Sequence, residues 1–331
     1  MKKIAVLSGD GVGPEVTTAA VSVLKALTGD IDMISADCGY ECYKRTGESL
    51  PVSTLEIIDE CDAVLMGGIT IPTNDRSFRN PITEIERRMR LELNIRRIEP
   101  IIPELSSIDI DATFIRNASD DVNVTEINDI DSVDVTRSYL YSEMDRTFIA
   151  SREYAERNDS KTILFAHEGD PASEMESMSI ESFHRCMVGT SISSDDVSIP
   201  ELASRILTKP NTIDTVISYN PFSDVLSEMV AKLTGGTYLV PCATINRTRG
   251  LFRPLHGSNP DLAGYNATNP TASLRCAAMM LDFLGYKDEG NKLWEAIRSA
   301  YKRGFRTPDV GGGTGTYGFI EQIVKICENP N

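Results

Sequence analysis

Short apolar runs alternate with stretches of helical periodicity along the whole chain, and few architectures accept that alternation. Ile4 to Leu7 is one such run. Gly13-Pro14 then opens a helix, with proline in the first turn where its missing N–H is tolerated. Val16, Ala20, Val23, Leu24 and Leu27 recur behind it at helical spacing. Ala63 to Met66, Thr113 to Ile115, Thr162 to Phe165 and Thr215 to Ser218 are further runs of strand length. A helix is expected from Pro221, with Asn220 as its N-cap. Thr271 to Leu284 reads as a long, nearly all-apolar helix that must be buried. Strands separated by helices pack as a largely parallel sheet, so the fold class is α/β. The 331 residues exceed one simple core and suit two lobes.

Charge limits the partners. A formal net charge of -16 argues against nucleic acid, which needs clustered positive charge. A small anion remains possible where basic groups gather locally, as they do at Arg87, Arg88, Arg90, Arg96 and Arg97. No stretch approaches the roughly 18 to 20 apolar residues of a membrane helix. The apolar run after Met1-Lys2-Lys3 stops at Ser8-Gly9-Asp10-Gly11, so it reads as a first strand rather than a signal peptide. The seven cysteines are dispersed without a CxxC pair, which fits a reducing cytoplasm.

Five segments carry chemistry or its plain structural alternative. Gly9 to Val16 is a glycine-rich turn opening a helix. It lacks the GxGxxG spacing, and a tight structural turn is the better reading. In the arginine cluster, Glu84 with Arg88, Glu86 with Arg90 and Arg88 with Glu92 stand four apart, the spacing of a solvated, ion-paired helix face. Arg96 and Arg116 differ, since each ends an apolar segment where a planar guanidinium can grip a carboxylate. Asp224 and Glu228, four apart on one helix face, could share Mg2+ or Mn2+ or could be a surface acidic pair. The polar, glycine-rich stretch Phe252 to Gly264, continued by Asn266 to Pro270, reads as a ligand loop offering Asp261 to a ribose diol. Asn117 to Val135, rich in Asp, Asn and Ser, reads as a surface loop or an arm toward a partner subunit, with a loop favoured by composition.

Taken together and in order, these segments resemble the isopropylmalate/isocitrate dehydrogenase family of NAD-dependent β-decarboxylating dehydrogenases. The opening SGDGVGPEV, Asn94-Ile95-Arg96, Ile115-Arg116, the Asp224–Glu228 helix, HGSNPDLAG with NATNP, and TPDVGG near residue 307 carry the likeness from residue 4 to about 320. The resemblance implies an isopropylmalate dehydrogenase-like fold of two lobes, with residues 1–100 plus 240–331 as the cofactor lobe and 101–239 as the substrate and metal lobe. It implies a cytoplasmic homodimer that takes a small anionic 2-hydroxy acid, NAD, and Mg2+ or Mn2+. NAD falls to His256, Gly257, Ser258, Asp261 and Asn269. Arg96, Arg116 and Arg88 fall to the substrate, and Asp224 and Glu228 to the metal. Tyr139 matches the family's catalytic tyrosine.

Several positions depart from the family pattern. The family lysine falls near His167, and the asparagine two places on falls at Gly169. No aspartate stands near Pro200-Glu201, where a metal-binding one is expected. The glutamate before the histidine-glycine-serine loop is Arg253. His167 can move protons near neutrality but cannot supply a lysine's permanent charge. Two readings follow: an oxidoreductase with Tyr139 and His167 as its proton-handling pair, or a non-catalytic paralogue that keeps the fold and nucleotide loop.

Overall fold

The structure, a computed structural model, describes residues 1–121, 124–170 and 172–329. Its strands begin with β1 (Lys2–Leu7), β2 (Ile31–Ala36), β3 (Ala63–Met66), β4 (Leu93–Ile98), β5 (Ala112–Asn117) and β6 (Val124–Asn128). They continue with β7 (Val133–Arg137), β8 (Thr162–His167), β9 (Ser193–Ser198), β10 (Thr215–Ser218), β11 (Pro241–Ile245) and β12 (Gly250–Pro254). Two compact units result: Met1–Leu91, Ile101–Leu105 and Gly235–Asn331 form one, Glu92–Pro100 and Ser106–Thr234 the other. Residues 92–100, assigned to the first lobe from sequence, group with the second unit because β4 lies antiparallel to β5.

In the first unit the strand order is β2-β1-β3-β12-β11. β1 runs parallel to β2 and β3, β3 runs parallel to β12, and β11/β12 is antiparallel. Every residue of β3 is buried, which is why its apolar run is continuous rather than alternating. Ala5, Leu7, Val64, Met66 and Leu251 share one core with Ile58, Ile85 and Met89 from the helices Val52–Glu60 and Pro81–Met89. The helices Gly13–Leu27 and Thr271–Leu284 form where the spacing placed them. The latter is buried as expected, yet it hides a charge. Arg275 is fully buried, donates to the Leu239 carbonyl, and lies 4.4 Å over the Trp294 ring. The ring face satisfies a cation that an apolar core could not.

The second unit has the order β4-β5-β10-β8-β9, with β10 parallel to β5 and β8, and β8 parallel to β9. Phe148, Phe165 and Phe183 pack edge to face or tilted at 5.0–5.6 Å between centroids, joining β8 to the helices Tyr141–Arg157 and Glu174–Cys186. The Asn117–Val135 excursion is not the loop that composition favoured. β6 and β7 pair antiparallel as a separate hairpin, with Glu126 opposite Val135 and Asn128 opposite Val133. Val122 and Asn123, within that excursion, lie outside the described residues.

The helix expected from Pro221 begins at Phe222 with Pro221 as its N-cap, which frees the Asn220 side chain from capping. The arginine helix also differs from its expected pattern. It ends at Met89, with Arg90 left-handed at its C-cap. Arg87 pairs with Glu84, Arg88 with Asp59, and Glu86 turns inward to accept from Thr244 Oγ1 at 2.8 Å. No helix among the described residues is long and apolar enough to cross a membrane.

Candidate active site

The second unit holds a guanidinium–carboxylate cluster. Asn94 stands opposite Arg116 across β4/β5, so Arg96, two residues along, projects from the same face. Both arginines are buried, at 4% exposure. They converge on Asp224, in the first turn of the helix Phe222–Leu233. Arg116 Nε donates to Asp224 Oδ1 at 3.1 Å, and Arg96 pairs with the same oxygen. Arg96 Nη1 also donates to Ser227 Oγ at 2.7 Å, and Asn220 Nδ2 donates to Asp224 Oδ2 at 3.1 Å. Burial works to raise the Asp224 carboxyl, but Arg116, Arg96 and the Asn220 hydrogen bond win and hold it below the usual carboxylate range.

Glu228, one turn on, is exposed. Among the described residues no three His, Cys, Asp or Glu side chains gather as metal ligands. Asp224, expected with Glu228 to hold Mg2+ or Mn2+, is engaged by the Arg96 and Arg116 guanidiniums.

A pocket lies in the same unit, lined among others by Tyr139, His167, Glu168, Glu176, Tyr219 and Asn220. Tyr139 is set there by packing: its ring meets Tyr219 edge-on at 5.0 Å, and Tyr219 in turn meets Phe165 at 5.7 Å. His167 ends β8. Its Nε2 bonds Asp196 Oδ2 at 3.2 Å, and Asp196 Oδ1 bonds His184 Nε2 at 2.6 Å. His167 Nδ1 stands 3.4 Å from Glu176 Oε2, within ion-pair reach, yet it is buried and makes no hydrogen bond. Glu176 Oε2 also accepts from Gly169 N at 3.0 Å and Asp170 N at 2.8 Å, which fixes the turn after β8. Burial pushes the Asp196 carboxyl up, and the hydrogen bonds and charges of His184 and His167 overcome it to hold it low.

In the first unit the glycine turn and the histidine-glycine-serine loop clasp one another. Val12 N donates to the Ser258 carbonyl at 2.7 Å. Gly11 has φ +56, and a Cβ there would meet that carbonyl oxygen at 2.1 Å, so only glycine fits. The turn is therefore a structural clamp, as its spacing suggested. Ser258 is buried and shares a 2.6 Å hydrogen bond with Thr70 Oγ1. The His256 ring stacks on Tyr238 at 4.0 Å. Nδ1 of His256 faces the Gly257 carbonyl at 2.8 Å and so carries the proton, leaving Nε2 buried without a partner. Burial pushes this imidazole down to about 4, opposed by the Gly257 hydrogen bond and reinforced by Arg253. Gly257 and Asp261 are exposed. Asn269 is buried, with Nδ2 donating to Tyr301 Oη and Asp309 Oδ2, and Oδ1 accepting from Thr271 N. Its amide braces the loop from inside.

The structure thus gathers Arg96, Arg116 and Asp224 in one cluster, Tyr139 and His167 on one pocket, and His256, Gly257, Ser258 and Asp261 on one loop. Arg88 stays in the first unit, its guanidinium spanning the Asp59 carboxylate on the surface. The sequence reading missed Asp196, His184, Glu176 and Asn220. Glu176 had a local signal, since Ser173 caps its helix and the Ser-x-x-Glu spacing is that of a capping box. Asp196 and His184 lie on different elements, β9 and the helix Glu174–Cys186, and meet only in the tertiary fold, so nothing local marked them.

Residues 3–323 match the family model described as isocitrate/isopropylmalate dehydrogenase, and the chain belongs to that family. It is 30% identical to a homoisocitrate dehydrogenase of Methanocaldococcus jannaschii, over 98% of this chain and 97% of that one. It is 32% identical to an isocitrate/homoisocitrate dehydrogenase of Thermus thermophilus, over 99% of each. The solved isocitrate dehydrogenase of Methylococcus capsulatus superposes with a TM-score of 0.91 at 24% identity, covering 99% of this chain and 100% of that one, a likeness of fold.

Proposed function

We propose that the protein is an NAD-dependent oxidoreductase that oxidises a small 2-hydroxy acid with more than one carboxylate, of the homoisocitrate or isopropylmalate kind, with loss of the β-carboxylate as CO2. The observation that carries this is the convergence of buried Arg96 and Arg116 on Asp224 in a chain of this family. Buried guanidiniums presented from two strands are rigid, and a planar fork pairs best with a carboxylate.

The histidine-glycine-serine loop suits a dinucleotide. His256 Nε2 is a buried acceptor awaiting a donor, Gly257 allows close approach, and exposed Asp261 can take a ribose diol. Bound there, NAD would supply the hydride acceptor. Tyr139 and His167 line one pocket and would handle the hydroxyl proton there.

The active form we propose is a homodimer. The β6/β7 hairpin exposes Ile127, Ile130, Val133 and Val135, and an isolated two-stranded hairpin is marginal in water. A second copy of this chain is the occupant that would cover it. A thermal-shift screen with NAD, NADP and malate-type acids tests the ligand assignments. Stabilisation by NAD together with one such acid is expected, and no response to either sinks the proposal.

A further inference from the structure

We propose that Asp224 is a resident competitor for the guanidinium pair. In the unliganded chain its carboxylate fills the place of a substrate carboxylate, and a dicarboxylate binds by displacing it. This inference rests on the reading that Arg96 and Arg116 receive the acid. Exposure within the cluster is unequal. The Arg96 and Arg116 side chains are 4% and 5% exposed, whereas that of Asp224 is 35% exposed. Solvent reaches the carboxylate and not the guanidiniums, so an anion arriving from solvent meets Asp224 first.

The arginines do not depend on Asp224 for their placement. Arg96 Nη1 donates to Ser227 Oγ at 2.7 Å, and that hydroxyl is itself fixed by donating to the Ser223 carbonyl at 2.6 Å. Arg116 Nη1 donates to the Asn117 carbonyl at 3.1 Å. Each fork thus keeps an anchor when the carboxylate leaves, and a preformed pair takes an incoming anion without the cost of being ordered. Asp224 has the lighter tether. Apart from the arginines, its side chain is held by Asn220 Nδ2, which donates to Oδ2 at 3.1 Å. Rotation about its Cα–Cβ bond between staggered wells carries the carboxylate away without moving the helix Phe222–Leu233. The resident arrangement also leaves a donor unmet, since Arg96 Nε is buried without a hydrogen-bond partner. A buried donor left unmet costs free energy, and the Asp224 carboxylate does not relieve it. Exchange conserves charge at the guanidiniums, because one carboxylate leaves as another arrives. Releasing Asp224 lowers the apparent affinity of every anion by the same factor, which screens out weakly bound monoanions. The plain alternative is a permanent ion pair that pins the helix to β4 and β5.

Calorimetry with succinate, in metal-free buffer at fixed ionic strength, separates the two. Succinate carries two carboxylates and no hydroxyl, so it binds without being oxidised. It would be titrated into the wild type, D224S and the double variant D224S/R116Q. Displacement predicts binding to the wild type, and binding to D224S tighter by roughly ten- to a hundredfold, the factor for releasing one charge-assisted ion pair. The double variant should lose that gain. Equal affinities in wild type and D224S overturn the proposal and leave the permanent pair. So does a gain that survives R116Q, or a wild type that stays empty well beyond the expected range. D224S is expected to be the less stable fold, so a second measurement uses the wild type alone. With aspartate carboxyl carbons labelled for NMR, the Asp224 resonance, assigned by its absence in D224N, should move as succinate saturates the protein. A resonance that stays in place while succinate binds also overturns the displacement. If no hydroxy acid is turned over, the oxidoreductase reading fails by itself, and the succinate comparison still decides whether Asp224 yields to an anion.

Discussion

Acid should loosen the first unit through one identifiable side chain. His256 is 5% exposed, and burial pushes its imidazole down to about 4 from an ordinary value near 6.5. The folded ring therefore stays neutral at pH values where the unfolded chain takes up a proton. Because the folded value is depressed, the stabilisation is full above about 6.5, declines as pH falls, and is gone below about 4. The difference of about 2.5 units, at about 1.4 kcal/mol each, amounts to about 3 kcal/mol. Urea unfolding followed by tryptophan fluorescence reads it directly, since the single tryptophan, Trp294, lies in the same unit. The control is His256→Phe, which keeps an aromatic ring against Tyr238 but takes no proton. H256F loses the Gly257 hydrogen bond at every pH, so its penalty there is a constant offset. The wild type should lose about 3 kcal/mol more than H256F between pH of about 7 and about 4. Parallel curves for the two proteins would refute the reasoning.

Asp224→Asn should destabilise the protein by roughly 3 kcal/mol in chemical denaturation, because it leaves the buried Arg96 and Arg116 without their shared anion. Asp261→Ala should weaken NAD binding by about 1.5 to 3 kcal/mol in calorimetry, the loss of one charge-assisted hydrogen bond, with the fold intact because that side chain is exposed. Sedimentation should find a dimer at micromolar protein, and the double variant Ile127→Lys, Val135→Lys should shift it toward monomer by placing charge on the exposed hairpin. A wild-type monomer would contradict the assembly proposed for it.

Much of this architecture was legible in the sequence where one physical cause acted alone. Ala63–Met66 and Thr271–Leu284 form over the residues that their apolar runs marked, since continuous burial leaves a continuous pattern. The glycine turn read as structural, and Gly11 against Ser258 is a steric clamp. Where the cause lay in tertiary pairing, local patterns misled. Glu86 and Arg88 stand at spacings suited to helical ion pairs, yet Thr244 and Asp59 capture them from elsewhere in the fold. The polar excursion carried too few apolar residues to signal strands, and its hairpin is set by pairing between Val124–Asn128 and Val133–Arg137. Of the candidate site, Arg96 and Arg116 were legible because each follows a short apolar run, Arg96 inside β4 and Arg116 near the end of β5. His184 and Asp196 were not, since β8/β9 pairing brings Asp196 beside His167 and packing of a separate helix, Glu174–Cys186, brings His184.

Formation of NADH is the most direct measure of the central claim. Wild-type protein would be incubated with NAD, a divalent cation and, in turn, homoisocitrate, isocitrate, 3-isopropylmalate and malate, and NADH absorbance and CO2 followed together. The account predicts NADH with at least one polycarboxylate acid, CO2 in equal amount, and a steep rise in KM for Arg116→Gln. No NADH with any of the four acids from a folded, NAD-binding protein would contradict it and leave a paralogue that keeps the family's fold without its turnover.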